Sequence, residues 1–315
     1  MPSRTRRSRR SRLARALVVA GIVRFLAALL RLLPLRAAQG LGASIGGLGW
    51  YVAGRDRRRT LDHLGVAFPE RSADERARLG RECFLHLGRT LGESLWFFTR
   101  GCEELARHVE VEGLEAAAAA RADGRPAVFI TGHCGNWELM AAVSNCNGLG
   151  ITVVARGLDE APLQRLLGGL RTRFGSRTIE RGERGAARQL LRTLRSGGAL
   201  GMLIDQDTKV DGVWVPFFGR PAYTPVGAAR IALHQKTVVI PCFIERRADG
   251  SHLARFQPPL DLPDDEVAAT ALMTRAIEEQ IRRVPEQWVW MHRRWRRQPP
   301  AAEPAGSAGS AESAE

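Results

Sequence analysis

Residues 127–138 read AVFITGHCGNWE, and the rest of the fold can be worked out from this stretch. It opens with an apolar run at 127–131 that is typical of a buried strand. A turn bounded by glycines follows, and Asn136 is placed to cap a helix that we expect to reach about residue 147. His133 lies in the turn, at the end of the strand, where α/β sheets usually place their functional sites.

The alternation of strand and helix continues along the chain. Further strand-like runs occur at 151–155, 177–180, 200–204, 213–217, 237–245 and 252–257. Helical patterns separate most of them, at 161–174, 184–195, 225–235 and 264–284. Strands that alternate with helices of about ten to fifteen residues indicate an α/β sheet with parallel pairs.

The N-terminal third has a different pattern and is expected to be mostly helical up to about residue 105. The apolar run at 13–34 is long enough to cross a bilayer. Arg24 interrupts it at the midpoint, and Arg31 lies on the same helical face, a pattern that also fits a helix lying in the membrane interface. The sequence thus predicts an N-terminal membrane helix and leaves open whether that helix crosses the bilayer or lies in it.

The positive charge is concentrated at the N-terminus. The chain has 47 basic and 33 acidic residues and a formal charge of +14. Residues 1–55 contain eleven arginines and no acid, which leaves +3 for the remaining 260 residues. This imbalance predicts an anionic partner. The body of the chain shows no nucleic-acid recognition motif, so we expect anionic membrane lipids and no nucleic acid.

The cysteines and a short serine motif argue against two other kinds of site, a zinc site and a serine-hydrolase site. The five cysteines are odd in number and contain no C-x-x-C pair, so we expect reduced thiols in a cytosolic environment and no zinc site. Residues 42–46 (GASIG) match the nucleophile elbow of serine hydrolases, which needs a strand before it and a helix after it. Here the motif lies inside an apolar helix rich in small residues, where glycines let helices approach each other.

His133 and Glu138 are the candidate catalytic residues. On one continuous helix they would point about 140° apart, so they can meet only if His133 lies in the turn and Glu138 in the first turn of the helix. A histidine held by a carboxylate is a general base, since the carboxylate fixes the tautomer and stabilises the imidazolium. A buried histidine that merely hydrogen-bonds a glutamate is the structural alternative.

The stretch 132–138 (GHCGNWE) resembles the H-x-x-x-x-E/D motif of glycerolipid-type acyltransferases. Its N-W-E ending is similar to the lipid A biosynthesis acyltransferases, the late lauroyl and myristoyl transferases. Further matching stretches lie in the expected order at 33–36 (LPLR), 68–70 (FPE), 205–207 (DQD), 215–219 (VPFFG) and 285–295 (PEQWVWMHRRW). The resemblance covers residues 13–297.

This resemblance implies a glycerolipid-acyltransferase-like α/β fold with a mixed sheet flanked by helices, preceded by the N-terminal membrane helix and a helical segment. It divides the chain into a basic arm (1–12), a membrane-associated helical segment (13–54), an acyltransferase α/β domain (55–298) and a disordered tail (299–315). The tail consists of small residues, proline and glutamate.

The implied reaction transfers a fatty acyl group from acyl carrier protein, or from coenzyme A, to a hydroxyl of a lipid A precursor. His133 is the expected general base and Glu138 its partner. The acyl thioester serves as co-substrate, and no cofactor or metal is expected. Cys134 is not expected to act as a nucleophile. The expected location is the cytoplasmic face of the inner membrane. Another glycolipid, such as a phosphatidylinositol mannoside, is the alternative acceptor.

Polar residues at strand ends and in the C-terminal basic run are the candidates for substrate binding. Arg156 follows a strand and should emerge beside His133, where similar enzymes use an arginine for the oxyanion or a substrate phosphate. Arginine forks suit phosphate oxygens. The full set of substrate-binding candidates is Asn136, Arg156, Asp205, Asp207, Arg293 and Arg294. A solvated surface position is the alternative for the arginines.

Overall fold

The computed structural model describes residues 3–157 and 161–299, so the predicted disordered tail, apart from Pro299, lies outside the described residues. Four helices come first: α1 (Ser3–Leu30), α2 (Leu35–Val52), α3 (Gly54–Ala67) and α4 (Ala73–Phe97). The short helices α5 (Cys102–His108) and α6 (Leu114–Ala119) lead into the sheet. A capping box formed by Ser72 and Glu75 starts α4, because each side chain accepts from the backbone N–H of the other residue.

The described strands form one mixed sheet and one hairpin. The strands are β1 (Val109–Glu112), β2 (Ala127–Thr131), β3 (Ile151–Arg156), β4 (Arg177–Arg181), β5 (Ala199–Leu203), β6 (Gly212–Phe217), β7 (Arg220–Pro225), β8 (Val238–Arg246) and β9 (His252–Phe256). Seven of them form the sheet in the order β1-β9-β8-β2-β5-β3-β4, in which only β8 and β9 pair antiparallel. β6 and β7 form the hairpin. The expected mixed sheet is therefore present, and the sequence missed β1 and β7.

The remaining helices cover the two faces of the sheet. They are α7 (Trp137–Cys146), α8 (Ala161–Arg173), α9 (Ala186–Arg195), α10 (Gly227–Gln235) and α11 (Glu266–Arg283). On the face we call the first, Phe129 of β2 packs with Met140 of α7, and α8 lines the same space. On the second face, Val128 and Ile130 pack with α10 and α11, and α9 covers Leu200 of β5. The alternation of side chains along β2 thus serves two cores.

The expectation of an N-terminal membrane helix is wrong. Among the described residues, no helix is both long enough and apolar enough to span a bilayer. α1 ends at Leu30, before Pro34, and Arg24 places a costly charge within its apolar part. One side of α1 is also taken up by the protein, because Ala16 and Ala20 are buried and the helix packs against α8 and α4.

Helices α2 and α4 touch backbone to backbone through glycines. A Cβ built on Gly42 would lie 2.1 Å from the carbonyl oxygen of Gly88, and one on Gly46 would lie 2.0 Å from that of Phe84. Ser44, between these two glycines, is exposed and donates its hydroxyl to the Gly40 carbonyl. The glycines of the G-x-S-x-G match therefore serve helix packing, as the sequence predicted, and Ser44 lies in a helix rather than in a strand-to-helix elbow.

The cysteines differ from the expectation of reduced thiols. Cys102 at the start of α5 and Cys146 at the end of α7 form a disulfide. The pair is 44 residues apart in sequence, and only the packing of α5 against α7 brings the two sulfurs together. The other three cysteines, Cys83, Cys134 and Cys242, are free and buried.

Substituting Gly42 with alanine tests the contact between α2 and α4. Gly42→Ala drives a methyl group into the backbone of α4, so we expect it to lower the free energy of unfolding by about 1–3 kcal/mol. Gly40→Ala, in the same helix, is the control. A Cβ there meets nothing within 4 Å, so the variant should gain up to about 1 kcal/mol from helix propensity. Denaturant unfolding measures both, and equal stabilities of the two variants would contradict the packing.

Candidate active site

The turn between β2 and α7 carries His133 and is fixed by backbone contacts on both sides. Gly135 has a φ of +59°, and a Cβ there would lie 1.8 Å from the carbonyl oxygen of Ile244, so only glycine fits. Its N–H donates to the carbonyl of Gln287 at 2.8 Å. Asn136 then starts α7 by accepting from the N–H of Leu139, as the sequence predicted. The position of the imidazole is therefore set by the fold.

Asp205 is the carboxylate that holds His133. The Nδ1 of His133 lies 2.8 Å from Oδ1 of Asp205, and the backbone N–H of His133 donates to Oδ2 at 2.8 Å. The indole N–H of Trp288 donates to the same Oδ2 at 2.8 Å. Burial alone raises the pKa of Asp205, but the His133 charge and these hydrogen bonds outweigh it, so the pKa lies well below its ordinary value. A carboxylate that stays ionised accepts the Nδ1 proton and leaves Nε2 to act as the base.

Glu138, the predicted partner of His133, pairs with an arginine instead. It lies in the first turn of α7, where the guanidinium of Arg171 in α8 donates to both its oxygens, at 2.6 and 2.9 Å. The prediction rested on spacing within the motif. The observed His133 contact depends on the pairing of β2 with β5, which brings the residue two places beyond Leu203 to the end of β2. Both Glu138 and His133 line the same cavity.

An apolar cavity of about 300 Å³ opens beside His133. It lies on the first face of the sheet, between the strands and the helices α7 and α8. The interior is lined mainly by apolar side chains, among them Phe129, Met140, Ile151, Val153, Leu167 and Leu203. Arg156 and Arg181, paired residues at the ends of β3 and β4, lie at its rim with His133. The site therefore joins a general base, cationic groups and an apolar chamber.

Comparison with known proteins assigns the chain to a family. A family model described as bacterial lipid A biosynthesis acyltransferase matches residues 4–297. The chain belongs to this family. Lipid A biosynthesis palmitoleoyltransferase of Escherichia coli (strain K12) is 27% identical over 266 residues, which cover 82% of this chain and 85% of that protein. Lipid A biosynthesis lauroyltransferase of the same strain is 27% identical over 274 residues, which cover 85% and 88%.

A relative that is named for a different substrate matches over a shorter stretch. Phosphatidylinositol mannoside acyltransferase of Mycobacterium tuberculosis (strain CDC 1551 / Oshkosh) is 29% identical over 205 residues, 62% of this chain and 64% of that protein. All three relatives are named as acyltransferases, so the chain is an acyltransferase, as the sequence motifs had indicated.

Cys134 lies within the acyltransferase motif, but its environment does not favour a reactive thiolate. It is 2% exposed, and its backbone bridges to Trp288. Burial, with a further contribution from the charge of Asp205, raises the pKa of its thiol well above the ordinary value. A thiol that stays protonated is a poor nucleophile, in agreement with the assignment of base chemistry to His133.

Besides Asp205, three predicted substrate-binding residues lie inside the acyltransferase. The guanidinium of Arg294 is buried over the ring of Phe217 and donates to the carbonyl of Tyr223 and the hydroxyl of Thr224. Burial lowers its pKa to about 10. Asp207 accepts from Arg296 and from the backbone of Arg297, and so holds the C-terminal segment. These contacts join parts of the protein, and sequence composition alone could not separate them from contacts to a headgroup.

The third of these residues, Asn136, belongs to a buried network centred on Glu93. The amide of Asn136 donates to Glu93 and to Ser94 of α4, both at 3.0 Å. Asn136 therefore ties the turn of His133 to α4. Of the other candidates, Arg156 and Arg293 are exposed, and Arg156 lies at the cavity rim.

Glu93 gathers donors from several elements and was not identified from the sequence. Its carboxylate is fully buried and accepts from Arg246 of β8 at 2.6 and 2.8 Å, from His252 of β9 and from Gln39 of α2. Burial by itself raises the pKa of Glu93, but His252 and Arg246 more than offset this and hold the pKa well below its ordinary value. A glutamate that falls among the apolar positions of the amphipathic helix α4 is the only sequence signal for such a site.

His86 completes the network from the same helix. Its Nδ1 lies 2.6 Å from Arg246, and its Nε2 lies 3.3 Å from the carbonyl of Gly135 in the turn. Burial, together with the charge of Arg246, lowers its pKa to about 3. A neutral imidazole accepts from Arg246 at Nδ1 and donates from Nε2 to the carbonyl of Gly135. Helix α4 therefore contacts the turn at a second point, in addition to Asn136.

Asp205→Asn tests whether Asp205 supports the base. The substitution preserves size but removes the charge that stabilises the imidazolium, so we expect kcat for acyl transfer to fall by about 10²–10⁴-fold. The control is Asp207→Asn, two residues along the chain. Asp207 contacts Arg296 and Arg297 rather than His133, so this variant should lose much less of its kcat. Steady-state rates of both folded variants provide the measurement. Near-normal turnover by Asp205→Asn would exclude Asp205 as the partner of His133.

Arg246→Met tests the buried network through stability. It leaves Glu93 buried without its main counter-charge, so we expect a loss of about 3–5 kcal/mol in the free energy of unfolding. Arg230→Met removes an exposed pair with Glu266 and should lower the stability far less, because solvent screens an exposed ion pair. Urea denaturation compares the two. If Arg246→Met is as stable as the surface control, the buried network contributes little to the stability of the protein.

Proposed function

We propose that this acyltransferase moves a fatty acyl chain from the thioester of acyl carrier protein to a hydroxyl of a phosphorylated lipid A precursor. The observation that carries the proposal is the His133–Asp205 pair at the rim of an apolar cavity. Membership of the family supports the reaction class and the pathway. The thioester is the co-substrate, and the reaction uses no cofactor.

In the proposed mechanism, the acceptor hydroxyl is the nucleophile. Nε2 of His133 takes the hydroxyl proton as the oxygen attacks the thioester carbonyl, while Asp205 stabilises the imidazolium that forms. The tetrahedral intermediate carries a negative oxygen that needs donors, and the nearby Arg156 is our candidate. Collapse of the intermediate breaks the C–S bond, and the imidazolium returns its proton to the departing thiolate. The products are an ester and a free thiol.

The apolar cavity is the proposed site of the acyl chain. Its wall of aliphatic and aromatic side chains excludes water from the chain, which favours binding by about 0.8 kcal/mol for each buried methylene. The Glu138–Arg171 pair bridges α7 and α8 at this cavity, so we assign it the role of holding the two helices around the chain.

The phosphorylated acceptor is proposed to approach the rim of the cavity, where arginine side chains can pair with phosphate oxygens. Arg156 lies at that rim, and Arg293 is exposed on the C-terminal segment. A phosphatidylinositol mannoside is the second candidate acceptor, and the relative from M. tuberculosis is the observation that favours it. Both acceptors combine an anionic headgroup with acyl chains.

We propose that the enzyme works at the cytoplasmic face of the inner membrane, held there by an exposed apolar surface. On α1, Val18, Ile22, Phe25 and Leu29 face outward with helical spacing. On α2, Leu41, Ile45, Leu48 and Val52 repeat the same spacing. Contiguous exposed apolar side chains mark interaction sites, and neighbouring arginines such as Arg24 suit anionic lipid headgroups. These residues project from the folded protein, so the attachment we propose is at the membrane surface.

A membrane assay with candidate acceptors tests this function. Purified membranes that contain the protein are supplied with acyl carrier protein thioesters of several chain lengths and with either a lipid A precursor or a phosphatidylinositol mannoside. We expect acylation of the lipid A precursor, and a loss of about 10²-fold or more in His133→Ala. The protein should sediment with the inner-membrane fraction. Full activity of His133→Ala would overturn the mechanism, and acylation of the mannoside alone would favour the second acceptor.

A further inference from the structure

Helix α9 presents a row of arginines to solvent. Arg188, Arg192 and Arg195 are spaced so that they share one face of the helix, and all three are exposed. The opposite side carries Leu190 and Leu194, which pack on the second face of the sheet. Arg184, two residues before the helix, is a further exposed arginine at the end from which α9 starts. We call these four residues the arginine row.

The arginine row lacks counter-charges within the described part of the chain. No described carboxylate lies within ion-pair distance of any of its four members, whereas Arg171, Arg230 and Arg282 each have an acidic partner. Residues 177–195 contain six arginines and two glutamates, a net charge of +4. One of those glutamates, Glu180, already accepts a hydrogen bond from Gln164. A surface with this much uncompensated charge attracts an anionic partner.

The arginine row is continuous with the entrance of the site. Strand β4 ends at Arg181, which lines the cavity rim and is the register partner of Arg156. Only four residues separate Arg181 from the start of α9. Positive charge therefore extends from the rim, past Arg184, along the outer face of α9.

The position of the arginine row argues against the membrane as its partner. The exposed apolar surface lies on α1 and α2, and α1 packs against α8, which covers the first face of the sheet. Helix α9 covers the second face and presents arginines without exposed large apolar side chains. A membrane that contacts α1 would thus meet a different side of the molecule from the arginine row.

We propose that the arginine row is the docking site for the acidic carrier protein that delivers the acyl thioester. This inference rests on the proposed function and adds to it the place where the donor binds. Acidic side chains of the carrier would pair with Arg188 and Arg192, which would place its thioester-bearing arm beside Arg181 at the rim. Complementary charge of this kind mainly raises the rate and the specificity of encounter, and it weakens as salt increases.

Charge reversal on α9 tests the docking site. We expect Arg188→Glu/Arg192→Glu to raise the KM for acyl carrier protein thioester by roughly tenfold with little change in kcat. The difference from the wild type should shrink when the ionic strength is raised. The neutral variant Arg188→Gln/Arg192→Gln should show a smaller effect of the same kind. The control is Arg78→Glu/Arg81→Glu, which reverses two exposed arginines of α4 and should leave this KM unchanged.

A short donor separates docking from catalysis. The same acyl group on pantetheine has neither a carrier protein nor the phosphates of coenzyme A, so the α9 variants should use it as well as the wild type does. If the α9 variants lose activity with acyl-pantetheine too, the damage lies in the fold or the site and the docking proposal is overturned. The docking proposal is also overturned if the α9 variants keep the wild-type KM for the carrier thioester, or if the α4 control raises this KM equally. It is overturned as well if the α9 variants bind anionic vesicles more weakly and keep their KM for the carrier thioester.

The proposed function fails in a different way. A wild-type enzyme that transfers no acyl group from any thioester refutes the acyl-transfer function. A wild-type enzyme that accepts only coenzyme A thioesters keeps that function and rejects the carrier docking site.

Discussion

The turn that carries His133 is held between two buried carboxylates, and the arrangement of the site depends on them. Asp205 binds the first half of the turn through the side chain and backbone of His133. Glu93 binds the second half through Asn136. Each carboxylate would be costly to bury alone, and each is compensated by several donors. Because the partners come from distant parts of the chain, the turn can adopt this geometry only when the whole fold has formed.

The two carboxylates also explain why helices α2 and α4 belong to the catalytic unit. Glu93 lies on α4, and its partners Gln39, Arg246 and His252 come from α2, β8 and β9. Close contact between the α2 and α4 glycines fixes Gln39 and Glu93 relative to each other. The helical N-terminal part therefore contributes to the site, besides the membrane attachment proposed above. It supplies the charge that positions Asn136, and through it the beginning of α7.

The sequence predicts those features that depend on neighbouring residues and misses those that depend on strand order. The apolar run at 127–131 and the glycines around His133 are local signals, and they place the strand, the turn and the helix correctly. The contact of His133 with Asp205 requires β5 to lie beside β2, although three helices and two strands separate them along the chain. The spacing within the motif suggested Glu138 as the partner of His133, because spacing carries no information on how the helices pack. In the structure α8 packs beside α7, and its Arg171 pairs with Glu138.

Arginine content was similarly ambiguous, because one residue type serves opposite purposes in this protein. Arg246 and Arg294 are buried and join structural elements, whereas Arg188 and Arg192 are exposed without described partners. Only the burial of the side chains and their hydrogen-bond partners separate these groups. The overall charge of +14 is thus the sum of structural and surface arginines, and only the surface ones can recruit an anionic lipid or protein.

The proposed direct transfer of the acyl chain, without an enzyme-bound intermediate, sets a geometric requirement that this fold satisfies. In the mechanism proposed above the acceptor hydroxyl itself attacks, because Cys134 is buried with a raised thiol pKa and His133 is paired with Asp205. Donor and acceptor must therefore meet at the cavity rim at the same time. The rim lies at the carboxyl edge of the sheet, α1 with its exposed apolar side chains packs against α8 on the first face, and the arginine row lies on the second face. A lipid that enters from the apolar side and a carrier protein that docks on α9 would reach His133 without competing for the same surface.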